Sequence, residues 1–166
     1  MELDSRIARI LHEEHGRILD LMGRLEVFVD GPWLRRAPDI GDEYLTILLR
    51  ELDRELASAT AHHFEFEERK IFPALNATGD VTIPYFLRQE HDLLRNLSEY
   101  MLPKVENIRR HGFTMDNWAE FRDLSLELVA KHISHIQREE AVMLPLLNGL
   151  FAARREGEVI SLYAQA

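Results

Sequence analysis

Two segments of the chain, His63-Phe-Glu-Phe-Glu-Glu-Arg-Lys-Ile-Phe-Pro-Ala-Leu75 and His135-Ile-Gln-Arg-Glu-Glu-Ala-Val-Met-Leu-Pro-Leu-Leu147, align without a gap. Both contain a histidine, three further residues, two consecutive glutamates, four more residues and a proline. A second matched pair, Glu14-His15 and Glu90-His91, precedes these segments at a similar separation. The chain is therefore an internal duplication, and each half is predicted to form a helical hairpin.

Working outward from the repeat, apolar residues recur at helical spacing through almost the whole chain, and no stretch alternates long enough to predict a sheet. Proline cannot continue a regular helix, so Pro73 is predicted to end the second helix and Pro103 to kink the third. The four predicted helices run from near Asp4 to Gly31, from the Asp39–Asp42 capping region to Pro73, from Pro84 to His111, and from Thr114 or Asp116 to Pro145–Gly149. Short connections predict an all-α, antiparallel up-down four-helix bundle over residues 1–150, with a short C-terminal extension over residues 151–166 that can add a short helix.

Composition excludes several classes of function. The 166 residues are enough for one domain and contain no cysteine, which excludes disulfides, thiolate catalysis, iron–sulfur clusters and cysteine-type zinc sites. The net charge of −9 argues against general binding to nucleic acid or to anionic membrane surfaces. No targeting peptide or membrane span is predicted, so we expect a cytoplasmic protein whose metal, if it holds one, is bound by nitrogen and oxygen.

Six histidine and glutamate side chains form the most informative pattern. Four residues bring an α-helix back to within about 40° of its starting direction, so His63 and Glu67 share a face, as do His135 and Glu139. Glu68 and Glu140 lie about 140° from these histidines and are assigned to an outer layer or to the surface. Because helices rise about 1.5 Å per residue, His15 and His91 are predicted at the same depth of the bundle, within about one turn of the other four groups.

Burying such groups without partners would be costly, since each unpaired polar group costs roughly 2–7 kcal/mol. Four neutral imidazoles and two carboxylates can instead hold two divalent ions, with the glutamates bridging them and open positions left for a small molecule. Iron is the first expectation, and manganese and zinc are chemically compatible as well. The predicted metal ligands are His15, His63, Glu67, His91, His135 and Glu139.

In their order and spacing, these motifs resemble the haemerythrin-like, or HHE cation-binding, domain over roughly residues 5–150. The resemblance implies a non-haem di-iron centre, oxo-bridged when oxidised, with Glu67 and Glu139 as the bridging carboxylates. The chain differs from oxygen-carrying haemerythrins at two positions. It has Arg95 where they have a second histidine on the third helix, and His135-x-x-x-Glu139 where they have His-x-x-x-x-Asp. With these differences, the chain resembles the four-histidine, two-glutamate variants that act as iron sensors or nitrosative-stress iron-repair proteins. It does not contain the cysteine-bearing extension of the repair proteins.

Three functions follow as hypotheses. The leading hypothesis is a di-iron protein that binds or senses dioxygen or nitric oxide, or that handles iron. The alternatives are an oxidase, peroxidase or nitric-oxide-processing enzyme at the same metals, and a metal-free helical interaction module. The sequence leaves open the oligomeric state and the roles of five further residues: His12 and His132 as proton donors or alternative ligands, Arg95 as an anion or acid partner, and Glu14 and Glu90 as groups that orient imidazoles.

Overall fold

The computed structural model describes residues 5–31, 37–79 and 81–150, which form four long helices and no strand. The predicted C-terminal extension, residues 151–166, lies outside the described residues. Helix α1 is Arg6–Val29 and helix α3 is Thr82–His111. Helix α2 covers 43–76 as three α-helical segments, Glu43–Arg54, Thr60–Phe66 and Phe72–Asn76, joined by the π-helical segments Glu55–Ala59 and Glu67–Ile71. Helix α4 covers 115–150 as Met115–Arg138, the π-helical segment Glu139–Met143 and Leu144–Leu150.

Side-chain caps fix where three of the helices begin. The side chains of Ser5 and Asp42 accept hydrogen bonds from backbone N–H groups in the first turns of α1 and α2. Thr114, rather than Asp116, caps α4, and it does so in a reciprocal capping box with Asn117. At Gly112 the backbone has φ of 86°, a left-handed value that glycine adopts without steric strain, and α3 ends there as predicted.

The prediction that α2 ends near Pro73 is wrong, because the helix continues to Asn76. A π-helical turn directly before the proline accommodates the missing N–H, since Phe72 donates to the carbonyl five residues back, that of Glu67. Pro73 then falls in the first turn of the next α-helical segment, where no N–H partner is required. The duplicated proline, Pro145, follows the π-helical segment of α4 in the same way.

The helices pack as a four-sided bundle, which confirms the predicted all-α architecture. Helix α1 packs on α2 and α4, and α3 packs on the same two helices, so α2 and α4 face each other diagonally. Two apolar clusters occupy the core: one includes Met22, Leu52 and Met101, and the other includes Leu11 and Phe72. On α1 and α3, the buried residues His15 and His91 each lie between residues of one cluster and residues of the other. Within the described residues, no helix has an apolar stretch long enough to cross a bilayer.

Candidate metal centre

A buried cluster of imidazoles and carboxylates lies in the centre of the bundle. Each of the four helices contributes a histidine at most 4% exposed, and α2 and α4 each add a fully buried glutamate. These are the six residues that the sequence places at one depth: His15, His63, Glu67, His91, His135 and Glu139. The structure therefore brings together every candidate ligand that the repeat predicts.

The six side chains form two groups of four. His15 and His63 form one group with Glu67 and Glu139, while His91 and His135 form the other with the same two glutamates. In each group the candidate ligand atoms lie within 4.8 Å of one another. Sharing both carboxylates between two pairs of imidazoles is the arrangement that carboxylate bridges between two cations require.

Most of the candidate ligand atoms are buried without a hydrogen bond, as expected of atoms that bind cations. The Nε2 atoms of His15, His91 and His135 and both oxygens of Glu67 and Glu139 are buried without a hydrogen-bond partner. Yet the nitrogen–oxygen distances are short, for example 3.1 Å from His15 Nε2 to Glu139 Oε2 and 3.3 Å from His91 Nε2 to Glu67 Oε2. The atoms are thus close but directed at shared space rather than at one another. Cations in that space would be bound by these nitrogen and oxygen atoms, so the residues fit the predicted type of site.

A second layer of four carboxylates holds the other nitrogen of each imidazole. Each Nδ1 lies 2.6–3.1 Å from an outer glutamate: His63 from Glu14, His135 from Glu90, His91 from Glu68 and His15 from Glu140. A proton on Nδ1 that is donated to such a carboxylate leaves the lone pair on Nε2, which faces the cluster. Glu14 and Glu90 thus contact imidazoles, a role that the sequence leaves open beside solvent exposure. Glu68 and Glu140 belong to the outer layer rather than to the surface.

Basic side chains hold the outer carboxylates in turn. Arg95 donates to Glu68 at 2.6 Å and stacks over the Phe64 ring, 5.5 Å from its centroid. His12, whose side chain is 60% exposed, lies 2.9 Å from Glu140. The corresponding partners of Glu14 and Glu90 are Arg17 and Arg138. His12 and Arg95 therefore act on the outer layer and lie outside both groups of candidate ligands.

Electrostatics in the cluster favour binding of positive charge. Burial by itself lowers the pKa of His63, but the carboxylates of Glu67, Glu14 and Glu139 outweigh it and raise this pKa to about 9. Burial likewise disfavours the carboxylate of Glu139, yet His135, His15 and His91 hold its pKa well below its ordinary range. A raised pKa means that His63 binds a proton more tightly than a free imidazole does, so a cation would compete with that proton for the ring.

His132 is buried one turn before His135 but lies outside both groups. Its Nδ1 is 3.0 Å from the carbonyl oxygen of Leu128, and its Nε2 is buried without a partner. Burial lowers its pKa to about 4, so the ring is neutral. The sequence missed the pairing of Glu68 with His91 and of Glu140 with His15, although the second glutamate of each repeat was a visible signal.

Comparison with known proteins independently supports a cation-binding site. A family model described as Hemerythrin HHE cation binding domain matches residues 6–147, a range that includes all six candidate ligands. No curated protein and no solved structure matches the chain significantly. Because the matched range covers most of the 166 residues, the chain belongs to the hemerythrin HHE cation-binding domain family.

Proposed function

We propose that the protein binds two iron ions in this cluster, one in each group of four side chains, and that Glu67 and Glu139 are shared between them. The observation that carries the proposal is the set of seven buried nitrogen and oxygen atoms without hydrogen bonds: one each from His15, His91 and His135, and two each from Glu67 and Glu139. Leaving such atoms unsatisfied costs roughly 1–3 kcal/mol each, and more for charged groups. Bound cations would remove that cost.

The donor set favours iron within a group of chemically compatible metals. Neutral imidazole nitrogens and carboxylate oxygens suit iron, zinc and manganese, and thiolate-preferring metals are disfavoured because the chain has no cysteine. The outer glutamates support neutral, Nε2-coordinating imidazoles at all four histidines. We infer iron from this mixed nitrogen and oxygen ligation together with the family membership.

We further propose that the centre binds or senses a small diatomic molecule such as dioxygen or nitric oxide, or that it holds iron. Each group supplies two imidazoles and two shared carboxylates, which leaves coordination positions for a small ligand. Bound iron would supply those open positions and a change between ferrous and ferric states. The chain's own residues would position the imidazoles through the outer carboxylates and exclude bulk water through the apolar clusters on either side.

Anaerobic reconstitution with Fe(II) tests this proposal. Elemental analysis should find about two irons per chain, and exposure to air should produce an absorption band in the near ultraviolet. A variant in which both His63 and His135 are replaced by alanine removes one imidazole from each group and should lose most of the iron. A folded wild-type chain that stays colourless and iron-free would refute the proposal and favour a metal-free interaction module.

An enzyme at the same centre is the second candidate, and His132 is the observation that favours it. Its imidazole is buried beside the cluster and its Nε2 has no hydrogen-bond partner, so it can contact a substrate bound there. Consumption of hydrogen peroxide or nitric oxide beyond one equivalent per site would support catalysis. Binding that stops at one equivalent would support a carrier or sensor.

A further inference from the structure

His132 lies in the layer of side chains directly beside the histidines of the cluster. It precedes His135 by three residues, about 4.5 Å along the axis of α4, whereas Glu139 follows His135 by four residues in the opposite direction. Thr60 stands in the same relation to His63 and Glu67 on α2, the diagonally opposite helix. His132 and Thr60 are both at most 2% exposed and are therefore part of the interior on the side away from the two glutamates.

On the other two helices this layer is apolar. Counting three residues past His15 on α1 and past His91 on α3 gives Ile18 and Leu94, both of which are buried. A small ligand on the side of the cluster away from Glu67 and Glu139 would therefore meet four side chains: those of Ile18, Leu94, Thr60 and His132. Only the last two can form hydrogen bonds with such a ligand.

Both polar groups present lone pairs to this layer. A backbone carbonyl can only accept, so the Nδ1 of His132 must carry the proton that it donates to Leu128, and Nε2 is the unprotonated nitrogen. This Nε2 is buried and has no partner. The Thr60 hydroxyl donates to Glu55 at 2.6 Å, so its oxygen also has only lone pairs left to offer. A ligand that brings a hydrogen-bond donor would satisfy this layer, whereas a ligand without one would leave Nε2 unpaired.

We propose that His132 Nε2 is the hydrogen-bond acceptor of a ligand subsite beside the cation cluster, and that it selects small ligands that carry a proton, such as hydrogen peroxide, over proton-free ligands such as dioxygen or nitric oxide. The inference rests on the proposed cation binding. Of the two candidate functions above, it favours an enzyme that acts on a proton-carrying substrate over a carrier or sensor of dioxygen or nitric oxide. His132 is a specificity residue in this proposal and does not coordinate the metal. An isolated buried acceptor costs free energy until a donor reaches it, and that cost supplies the discrimination.

Ligand binding to the cobalt(II)-loaded protein tests the proposal without any turnover. Hydroxylamine, which carries N–H and O–H donors, and azide, which carries none, would be titrated anaerobically at neutral pH and followed by the visible cobalt bands. The His132→Leu variant removes the acceptor, and His132→Gln restores an acceptor at a similar distance from the backbone. Ser125→Ala is the matched control, because it removes another buried, unpaired polar group from α4, about 10 Å further from the cluster.

We expect His132→Leu to weaken hydroxylamine relative to azide by about fivefold, the effect of one lost hydrogen bond. His132→Gln should recover most of this preference, and Ser125→Ala should leave it unchanged. If His132→Leu binds cobalt normally but keeps the wild-type ratio of the two affinities, the subsite is refuted while cation binding stands. A wild-type chain that takes up neither cobalt nor iron refutes both proposals.

A second measurement covers the case in which His132→Leu fails to fold. In the zinc-loaded wild-type protein, nitrogen NMR of the imidazoles should show an unprotonated Nε2 at His132 whose resonance moves when hydroxylamine is added and stays in place with azide. A protonated Nε2, or a resonance that ignores hydroxylamine, would overturn the proposal.

Discussion

Each imidazole of the cluster lies between an inner and an outer carboxylate, and the outer one can be changed without removing a candidate ligand. His63, for example, has Glu67 at 3.4 Å from Nε2 and Glu14 at 3.0 Å from Nδ1. The inner partner is predictable from sequence because the two residues are four apart on one helix. The outer partner comes from a neighbouring helix, so its identity depends on how the helices pack.

Replacing Glu14 with glutamine should weaken metal binding by about 10-fold to 100-fold, the usual effect of losing such a partner. The amide oxygen can still accept a hydrogen bond from His63, but without a negative charge it makes the imidazole a poorer metal ligand. Competition with a chromogenic chelator would measure the affinity for Fe(II). Glu13→Gln is the control, since Glu13 is the exposed neighbour on the same helix. Equal losses in both variants would show a general charge effect instead.

The pKa of His63 predicts opposite pH dependences for stability and for metal affinity. Its pKa rises from 6.5 to about 9 on folding, so its contribution to the free energy of unfolding is complete below pH 6.5 and is lost as the pH rises through about 9. The melting temperature of the chelator-treated protein should therefore fall across that window, and His63→Gln should flatten the fall. Over the same window metal affinity should rise, because a cation must displace this proton. A metal affinity independent of pH would contradict the assignment.

At the scale of the helices, local sequence signals predict most helix boundaries correctly and one wrongly. Side-chain caps and the glycine after α3 act locally, and Asp42, Thr114 and Gly112 stand where the sequence predicts boundaries. Pro73 was misleading because a proline excludes the regular α-helical hydrogen bond but tolerates a π-helical turn before it. The two candidate bridging glutamates begin such turns, Glu67 in α2 and Glu139 in α4. The duplication thus repeats the irregularity as well as the residues.

The cap of α4 should contribute to stability without affecting the metal. Thr114→Ala removes the hydroxyl that accepts from the Asn117 N–H and leaves the bond from the N–H of residue 114 to Asn117 Oδ1. It should cost about 1 kcal/mol, which corresponds to a fall of about 2–4 °C in melting temperature for a chain of this size. Thr114→Ser keeps the hydroxyl and should stay close to wild type. Thermal unfolding measured with and without Fe(II) would separate the two effects. A loss of iron in Thr114→Ala would mean that the cap and the centre are coupled.

For the whole molecule, the depth of the cluster was predictable because helices have a fixed rise and the two halves repeat each other. Counting residues from the helix ends places six groups at one level, and the structure brings the ligand atoms of each group to within 4.8 Å. The contacts of Glu68 with His91 and of Glu140 with His15 join the two hairpins, and no spacing within one hairpin contains them. The unpaired nitrogen of His132 also appears only after packing is complete.

Removing the metal should destabilise the whole bundle, since a cation that binds only the folded chain adds to the free energy of unfolding. A free metal concentration about 100 times the dissociation constant adds about 2.7 kcal/mol, which predicts a melting temperature roughly 5–10 °C above that of the chelated protein. Thermal scans with Fe(II) and with a chelator would measure the difference. The double variant His63→Ala, His135→Ala should melt at almost the same temperature with Fe(II) and with the chelator. If the wild-type protein also melts at the same temperature in both, this would argue against binding at this cluster.

Because the two groups share their glutamates but not their histidines, single substitutions should separate the two sites. His91→Ala removes a ligand from one group only, so titration with Fe(II) should show about one tight site and one weakened site. Glu139→Ala removes a ligand from both groups and should weaken the two sites together. Because the two halves repeat each other, His15→Ala should give the same Fe(II) titration as His91→Ala, with the other group weakened. His111 is exposed at the end of α3, so His111→Ala is the control and should titrate like wild type. If His91→Ala instead abolished both sites equally, the cluster would be a single composite site, and the two-cation arrangement would have to be abandoned.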